Sequence, residues 1–163
     1  EVQSEFVKLV GNAELTTLAD LIKASEKLLN DTLSGNSDEV TEAIEHIRQS
    51  NYAPTFYNNE QALRYVILNA YDYTPMCWYT VFEELSSGQG FSNMMLIPQK
   101  GTGKPALIIE LKYDQSPEKA IEQIRDKHYP KALEGYDGDI ILVGIDYDEK
   151  VKRHECRIER LMQ

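Results

Sequence analysis

The most informative segment of the chain is Ala106-Leu107-Ile108-Ile109-Glu110-Leu111-Lys112, an apolar run that ends in an acid and a base two residues apart. A short apolar run of this kind predicts a β-strand. Because side chains alternate along a strand, Glu110 and Lys112 are expected on one face, about 7 Å apart, with Leu111 on the other. The sequence therefore predicts that a carboxylate and an ammonium group emerge together from a sheet.

A neighbouring strand is predicted just upstream, in Gly90-Phe91-Ser92-Asn93-Met94-Met95-Leu96-Ile97. The residues between the two strands, 98–105, hold two prolines and two glycines, which favour a hairpin loop. If the strands pair as a hairpin, Asn93 reaches the same place as Glu110. An amide, an acid and a base would then converge.

A helix is predicted downstream, because Ser116 is a good N-cap and Pro117 suits the first helical position. It should bury Ala120, Ile121 and Ile124, with Gln123 one step around the helix. Tyr129 is expected near its end.

The remaining elements follow from their apolar patterns. Ile140–Ile145 predicts a central strand buried on both faces, Val151–Leu161 an edge strand, and Met76–Phe82 a strand that forms a hairpin with the Asn93 strand. Three amphipathic helices are predicted before them: one behind Thr16 or Thr17 as N-cap that stops near Asn30, one capped by Asp38, and one that starts at Asn58 or Asn59. The predicted order is α-α-α-β-β-β-α-β-β, an α/β sandwich with a mixed sheet.

Four segments carry a resemblance to a known family: Gly90-Phe91-Ser92-Asn93, Ile109-Glu110-Leu111-Lys112, Gln123-Ile124-Arg125-Asp126-Lys127-His128-Tyr129 and Gly144-Ile145-Asp146-Tyr147. In this order they resemble the PD-(D/E)XK nuclease superfamily, and more narrowly its nuclease-type domain found C-terminal to bacterial AAA-ATPase-like domains. The resemblance implies a restriction-endonuclease-like core, a mixed sheet flanked by helices, over residues 51–163. Residues 1–50 would form a helical preface or linker that covers this core.

The resemblance also implies site residues and a cofactor. Mg²⁺ or Mn²⁺ would be held by Glu60, Asn93, Glu110 and the carbonyl of Leu111. Lys112 would hydrogen-bond the attacking water, while Gln123 and Tyr129 would orient the site and the substrate. Glu60 also suits the start of a helix for a second reason, since the helix dipole favours an acid there by about 0.3–1 kcal/mol.

Position 93 departs from the family pattern, which has a metal-binding Asp where this chain has Asn93. The amide keeps an oxygen but loses a charge worth on the order of 4 kcal/mol for a pair of unit charges 4 Å apart at an effective dielectric constant near 20. Metal affinity should fall sharply. Three explanations stay open: an engineered inactivation, a natural loss of activity, or transfer of the ligand role to Glu60, Glu83 or Glu84. We favour natural loss, because Ser92 departs from the family pattern as well.

Composition sets wider limits. With 163 residues, 42% hydrophobic and 27% charged, the chain is expected to form one globular domain with its own core. There is no apolar run long enough to span a membrane and no signal peptide, and a first residue of Glu suggests a fragment of a larger protein. Cys77 and Cys156 form neither a metal-ligand spacing nor a disulfide framework, so buried thiols in the cytoplasm are expected.

The net charge of −10 argues against a nucleic-acid partner, since phosphate contacts require Lys and Arg. However, residues 1–60 carry 4 basic and 11 acidic groups, whereas residues 61–163 carry 13 and 16. The acidity thus lies mainly outside the predicted site. Basic residues cluster near the C-terminus: Lys150, Lys152, Arg153, Arg157 and Arg160. This cluster would either contact a phosphate backbone or form a solvated face.

Two functions remain open from the sequence. The first is a divalent-metal-dependent nuclease-type domain that acts on DNA phosphodiesters, with activity impaired by Asn93. The alternative is a catalytically silent nuclease-like domain that binds nucleic acid or protein within an ATPase-linked protein. DNA and an ATPase-like domain of the same protein are the expected partners, no membrane association is expected, and the oligomeric state is not indicated.

Overall fold

A computed structural model describes residues 13–51, 60–72, 78–85, 92–127, 133 and 135–161 of the protein. Its elements follow the predicted order and confirm an α/β fold with a mixed sheet. They are α1 (Ala13–Leu33), α2 (Ser37–Asn51), α3 (Glu60–Asp72), β1 (Tyr79–Leu85), β2 (Ser92–Pro98), β3 (Ala106–Tyr113), α4 (Pro117–Asp126), β4 (Ile140–Asp148) and β5 (Arg153–Leu161).

The five strands form one sheet in the order β1-β2-β3-β4-β5. Neighbouring strands are antiparallel except β3 and β4, which are parallel. A parallel pair requires a crossover connection, and α4 supplies it. The predicted hairpin between β2 and β3 is confirmed, with Asn93 directly opposite Glu110.

Helices cover both faces of the sheet, and the two faces have separate cores. On the first, the three-helix face, side chains of α1, α2 and α3 pack on Leu107, Ile109 and Leu111 of β3; they include Leu28, Leu29, Val40, Ile44, Val66, Ile67 and Tyr71. On the second, the α4 face, Ile121 and Ile124 pack on Ile108 and Leu142. Because it is covered on both sides, β3 is buried at its first seven positions, and each fully buried Leu or Ile contributes about 1.5–3 kcal/mol.

α1 differs from its prediction at both ends. It begins at Ala13, so Thr16 and Thr17 lie inside the helix and cannot be its N-caps. It also continues past Asn30 to Leu33, because Thr32 is fully buried and its hydroxyl lies 2.8 Å from the Tyr71 hydroxyl. In the sequence, Thr32 is only a polar residue before a turn. The local pattern cannot show that its hydrogen-bond partner is Tyr71, which is distant in the chain.

α2 is capped by Asn36 and not by Asp38. The Asn36 Oδ1 accepts a hydrogen bond from the Glu39 backbone N–H at 3.4 Å, which is the N-cap interaction. Asp38 lies in the first turn, where the helix dipole favours an acid.

α2 is joined to the edge strand β5 by a polar contact. Glu45 accepts hydrogen bonds through Oε1 from the His154 backbone N–H, at 3.0 Å, and from the His154 ring through Nδ1. Its other oxygen accepts from Arg48 at 2.8 Å. Burial alone would raise the pKa of Glu45, but the hydrogen bonds from His154 and Arg48 lower it to about 2. Burial also lowers the pKa of His154, which favours the neutral ring.

Other boundaries shift by a few residues. β1 continues to Leu85 and so extends past the predicted end at Phe82, because Glu83 and Glu84 still pair with β2. An edge strand tolerates charged side chains, so the apolar pattern ends before the strand does. α3 begins at Glu60; the predicted start at Asn58 or Asn59 lies outside the described residues.

None of the helices among the described residues has both the length and the apolar character needed to cross a membrane.

Candidate active site

The acid and the base of β3 lie together on the α4 face, as strand alternation predicts. The Glu110 side chain is 0% exposed and that of Lys112 is 2% exposed, and the Lys112 Nζ lies 3.6 Å from the Glu110 Oε1. Leu111 packs into the core of the three-helix face. The pair thus forms a buried ion pair on the less densely covered side of the sheet.

α4 brings a third polar group to this pair. The Lys112 Nζ donates a hydrogen bond to the Gln123 Oε1. This contact requires α4 to lie flat on β3 and β4, which it does through Ala120, Ile121 and Ile124, while Gln123 is half-buried at the edge of the contact. Of the residues predicted from the sequence, the structure therefore unites Glu110, Lys112 and Gln123.

Asn93 is placed beside them by register. It is the partner of Glu110 across the β2–β3 ladder, so its position belongs to the α4 face. Its side chain is not among those described. The register nevertheless makes position 93 the direct cross-strand neighbour of Glu110 on β2.

The Leu111 carbonyl is directed toward the same place. The Ala106 N–H donates to the Asp139 carbonyl at 2.9 Å and therefore points toward β4. Backbone groups alternate in direction along a strand, and the β3–β4 register is continuous, so those of Leu111 point toward β2. The last described β2–β3 pair is Asn93 with Glu110. The Leu111 carbonyl therefore lies one residue past this pair, on the β2 side of β3.

Two residues of β4 complete the α4 face, and the sequence assigned a role to neither. Gly144 is the register partner of Glu110. A Cβ on Gly144 would lie 2.4 Å from the Pro117 carbonyl oxygen and 3.0 Å from the Ala120 Cβ. Only a residue without a side chain allows α4 to approach this closely.

Asp146 is the second of these residues and the register partner of Lys112. It is 3% exposed, and burial raises its pKa. Its Oδ1 accepts a hydrogen bond from the Gln115 backbone N–H at 3.1 Å. In the sequence, Asp146 is recognisable only as an acid directly after the apolar run Ile140–Ile145. Its proximity to Lys112 results from the parallel register of β3 and β4.

Two predicted site residues are not described at the site. Glu60 begins α3, whose described buried residues pack on the three-helix face, and the Glu60 side chain is not among those described. Tyr129 lies outside the described residues. Their roles stay predictions.

The acids considered as replacements for the missing Asp are separated by strand parity. Glu83 pairs with Met94, on the three-helix face, and forms an ion pair with Arg64 of α3. Glu84 is the register partner of Asn93, so its position belongs to the α4 face. Its side chain is not among those described.

The donor set suits a hard cation, with reduced charge. Oxygen donors at the site are the Glu110 carboxylate and the Leu111 carbonyl, and oxygen is the ligand that Mg²⁺ prefers. Within the described part of the chain, no three His, Cys, Asp or Glu residues cluster closely enough to hold a metal ion. The arrangement therefore fits a divalent ion chemically while providing less negative charge than a site with two or three carboxylates.

Comparison with known families agrees with this geometry. A family profile described as the PD-(D/E)XK nuclease superfamily matches residues 65–156, more than half of the chain. The chain belongs to the PD-(D/E)XK nuclease superfamily. PD-(D/E)XK nucleases generally use divalent metal ions, in agreement with the oxygen donors found here. The match begins within α3, and it includes Asn93, Glu110, Lys112, Gln123 and Asp146. No curated protein matches the chain.

Proposed function

We propose that this PD-(D/E)XK domain is a divalent-metal-dependent nuclease-type domain acting on DNA phosphodiesters, with activity reduced by Asn93. The observation that supports it most is the buried Glu110–Lys112 pair, with Gln123 bonded to Lys112, on one face of the sheet. Burying a lysine this deeply costs free energy unless its charge is compensated. In a nuclease site the charge also has a chemical role, because it stabilises the attacking water.

The roles of the chain's own residues follow from their chemistry. Lys112 would hydrogen-bond the attacking water and stabilise the charge that develops on it, and Gln123 fixes the direction of the ammonium group. Glu110, the Leu111 carbonyl and the Asn93 amide would hold Mg²⁺ or Mn²⁺. Such an ion neutralises phosphoryl charge and lowers the pKa of bound water.

DNA as the substrate is supported by where the exposed basic groups of the described residues lie. Arg157 is paired with Glu118 and Glu159, and Arg160 with Asp139, so neither offers an unopposed charge. By contrast, Lys150 and Lys152 are exposed in the turn after β4, and Arg153 is exposed at the first position of β5. Since β3 and β4 are parallel, this turn lies at the same edge of the sheet as Lys112. Basic groups beside the site would contact phosphates that flank the scissile bond.

The wider setting is part of the proposal. An ATPase-like domain of the same protein is the partner that the order of motifs favours. A cytoplasmic location is favoured by Cys156, which is a free thiol whose pKa burial raises to about 12. Cys77 lies outside the described residues.

The test is cleavage of plasmid and single-stranded DNA with Mg²⁺ or Mn²⁺ by the wild-type chain, Asn93→Asp and Glu110→Gln. We expect Asn93→Asp to cleave at least about tenfold faster than wild type. The restored charge is worth on the order of 4 kcal/mol for a pair of unit charges 4 Å apart, and lowering the barrier by about 1.36 kcal/mol already makes the reaction tenfold faster. Glu110→Gln should abolish cleavage in either background. Glu122→Gln, at another exposed acid on α4, is the matched control and should leave the rate unchanged. A folded Asn93→Asp protein that cleaves neither substrate would contradict the proposal.

The second candidate is a nuclease-like domain that binds DNA or protein without catalysis. Asn93 and the small number of clustered acids in the described part of the site favour it. Calorimetry with Mn²⁺ separates the two candidates. Metal binding that Glu110→Ala removes supports the nuclease, whereas retained DNA binding without metal binding supports the silent domain.

A further inference from the structure

α4 is held on β4 at two points near its start. At Gly144 the strand lacks a side chain, so the Pro117 carbonyl and the Ala120 methyl approach the backbone directly. Two residues further along, the Asp146 carboxylate accepts the Gln115 N–H at 3.1 Å, immediately before the Ser116 cap. The first point sets how close α4 lies to the sheet, and the second sets where the helix begins.

The position of α4 determines the surroundings of Lys112. Gln123 is seven residues after the Ser116 cap, so about two helical turns separate the anchored start of α4 from the Lys112 contact. A shift or tilt at the start of the helix is therefore carried rigidly to Gln123. Lys112 is itself the register partner of Asp146, so the anchor and the ammonium group lie side by side on the sheet.

A carboxylate at position 146 is not the residue that packing alone would favour. The position is 3% exposed and follows an apolar strand, so an aliphatic residue would avoid the desolvation cost that Asp146 carries. Its hydrogen bond to Gln115 N–H gives the acceptor a specific use. Asp148, two residues later on the same strand, forms a similar bond to the Lys150 and Val151 N–H groups, yet it faces the β4–β5 turn and not α4.

We propose that Asp146 is a positioning residue of the site: its carboxylate anchors the start of α4 so that Gln123 meets and shields Lys112. The functional meaning of this role rests on the proposed nuclease function. The positional role does not, because it concerns the placement of α4 whether or not the protein cleaves DNA.

The experiment measures acylation of Lys112 in the folded protein by mass spectrometry, which needs neither metal nor activity. Without this acceptor the start of α4 should open more often, so Asp146→Leu should raise the Lys112 labelling rate about tenfold or more. Asp146→Asn keeps an acceptor oxygen and should label like wild type. Asp148→Leu removes the comparable bond in the turn and is the control, with labelling also unchanged.

The outcomes are decisive in each direction. If Asp146→Leu is labelled no faster than Asp148→Leu, the positioning role is overturned. It is also overturned if Asp146→Asn is labelled as fast as Asp146→Leu, because the charge of Asp146 and not its acceptor oxygen would then matter. If Asp146→Leu does not fold, Asp146→Ala is the milder truncation and the same comparison applies. Faster labelling of Asp146→Leu together with absence of cleavage by every variant would support the positioning role while contradicting the nuclease function.

Discussion

Lys112 illustrates how one buried side chain links stability to chemistry. It is 2% exposed, and the carboxylate of Glu110 and the amide of Gln123 compensate its charge from the same strand and from α4. Two charges buried together usually stabilise a fold little, because desolvation offsets their attraction. We therefore interpret the Glu110–Lys112 pair as serving the chemistry of the proposed site and not the stability of the fold.

Glu45 carries the clearest pH dependence. Its pKa of about 2 in the folded chain is below the ordinary value of 4.5, so the carboxylate stabilises the folded state above pH 4.5 and this contribution is lost as the pH falls from 4.5 to 2. We expect Glu45→Gln to lower the free energy of unfolding at neutral pH by up to about 3 kcal/mol. The gap between wild type and variant should close as the pH falls through that window.

Urea denaturation at a series of pH values measures this effect. Glu42→Gln, an exposed residue on the same helix, is the control and should show no gap at any pH. The neutral form of His154 is also favoured by folding, so wild type and Glu45→Gln should both lose some stability below the ordinary His value of 6.5. A gap that persisted undiminished to pH 2 would refute the role assigned to Glu45.

Individual residues of the site were predictable to different degrees. Glu110 and Lys112 share a face because alternation along a strand is a local property, and Ser116 caps its helix for local reasons as well. Asp146 could not be assigned from its neighbours in sequence. Its relation to Lys112 comes from parallel pairing of strands whose partners are 34 positions apart, and no local pattern specifies that register.

Among the elements, α4 depends most on one residue. Gly144→Ala would place a methyl group 2.4 Å from the Pro117 carbonyl, so the start of the helix must move. We expect a loss of about 1–3 kcal/mol in the free energy of unfolding, the usual cost of overpacking, together with faster acylation of Lys112. Chemical denaturation and mass spectrometry provide the two measurements.

Gly101→Ala is the comparison for this prediction. Gly101 has a φ of +82°, so alanine is strained there, but its Cβ would contact nothing within 4 Å. It should lower stability without changing Lys112 acylation. Equal acylation in Gly144→Ala and wild type would show that α4 tolerates the methyl group without moving.

The ends of the elements show where local sequence stops being informative. The order of all nine described elements was predicted, because each has an apolar period or run of its own. α1 continues to Leu33 because Thr32 meets Tyr71, and β1 continues to Leu85 because β2 extends beside it. In both cases a partner distant in sequence overrides the local signal for an end.

At the scale of the whole molecule, the N-terminal helices share a core with the sheet. Leu28 of α1 is fully buried in the cluster that includes Leu107 and Ile109 of β3. Leu28→Ala should therefore lower the free energy of unfolding by about 2–5 kcal/mol in a single transition seen alike by circular dichroism and by Trp78 fluorescence. Leu18→Ala, at a residue of α1 that is 38% exposed, is the control and should cost much less.

Two separate transitions in Leu28→Ala would mean that the helices and the sheet unfold independently. That result would support residues 1–50 as a module of their own, and a single transition would support one cooperative unit. The predicted boundary near residue 50 marks where one element ends, and such a position does not indicate which elements unfold together.

The parallel pairing of β3 with β4 has a kinetic consequence. β1, β2 and β3 join through short hairpins and can zip together early, whereas β4 reaches β3 only after the crossover has been laid down, and closing that long loop is entropically slow. Because Asp146 and Gly144, which seat α4, both lie on β4, the surroundings of Lys112 cannot form before β4 docks on β3. A newly synthesised chain would therefore pair its first three strands while Lys112 still lacked the helix that covers it.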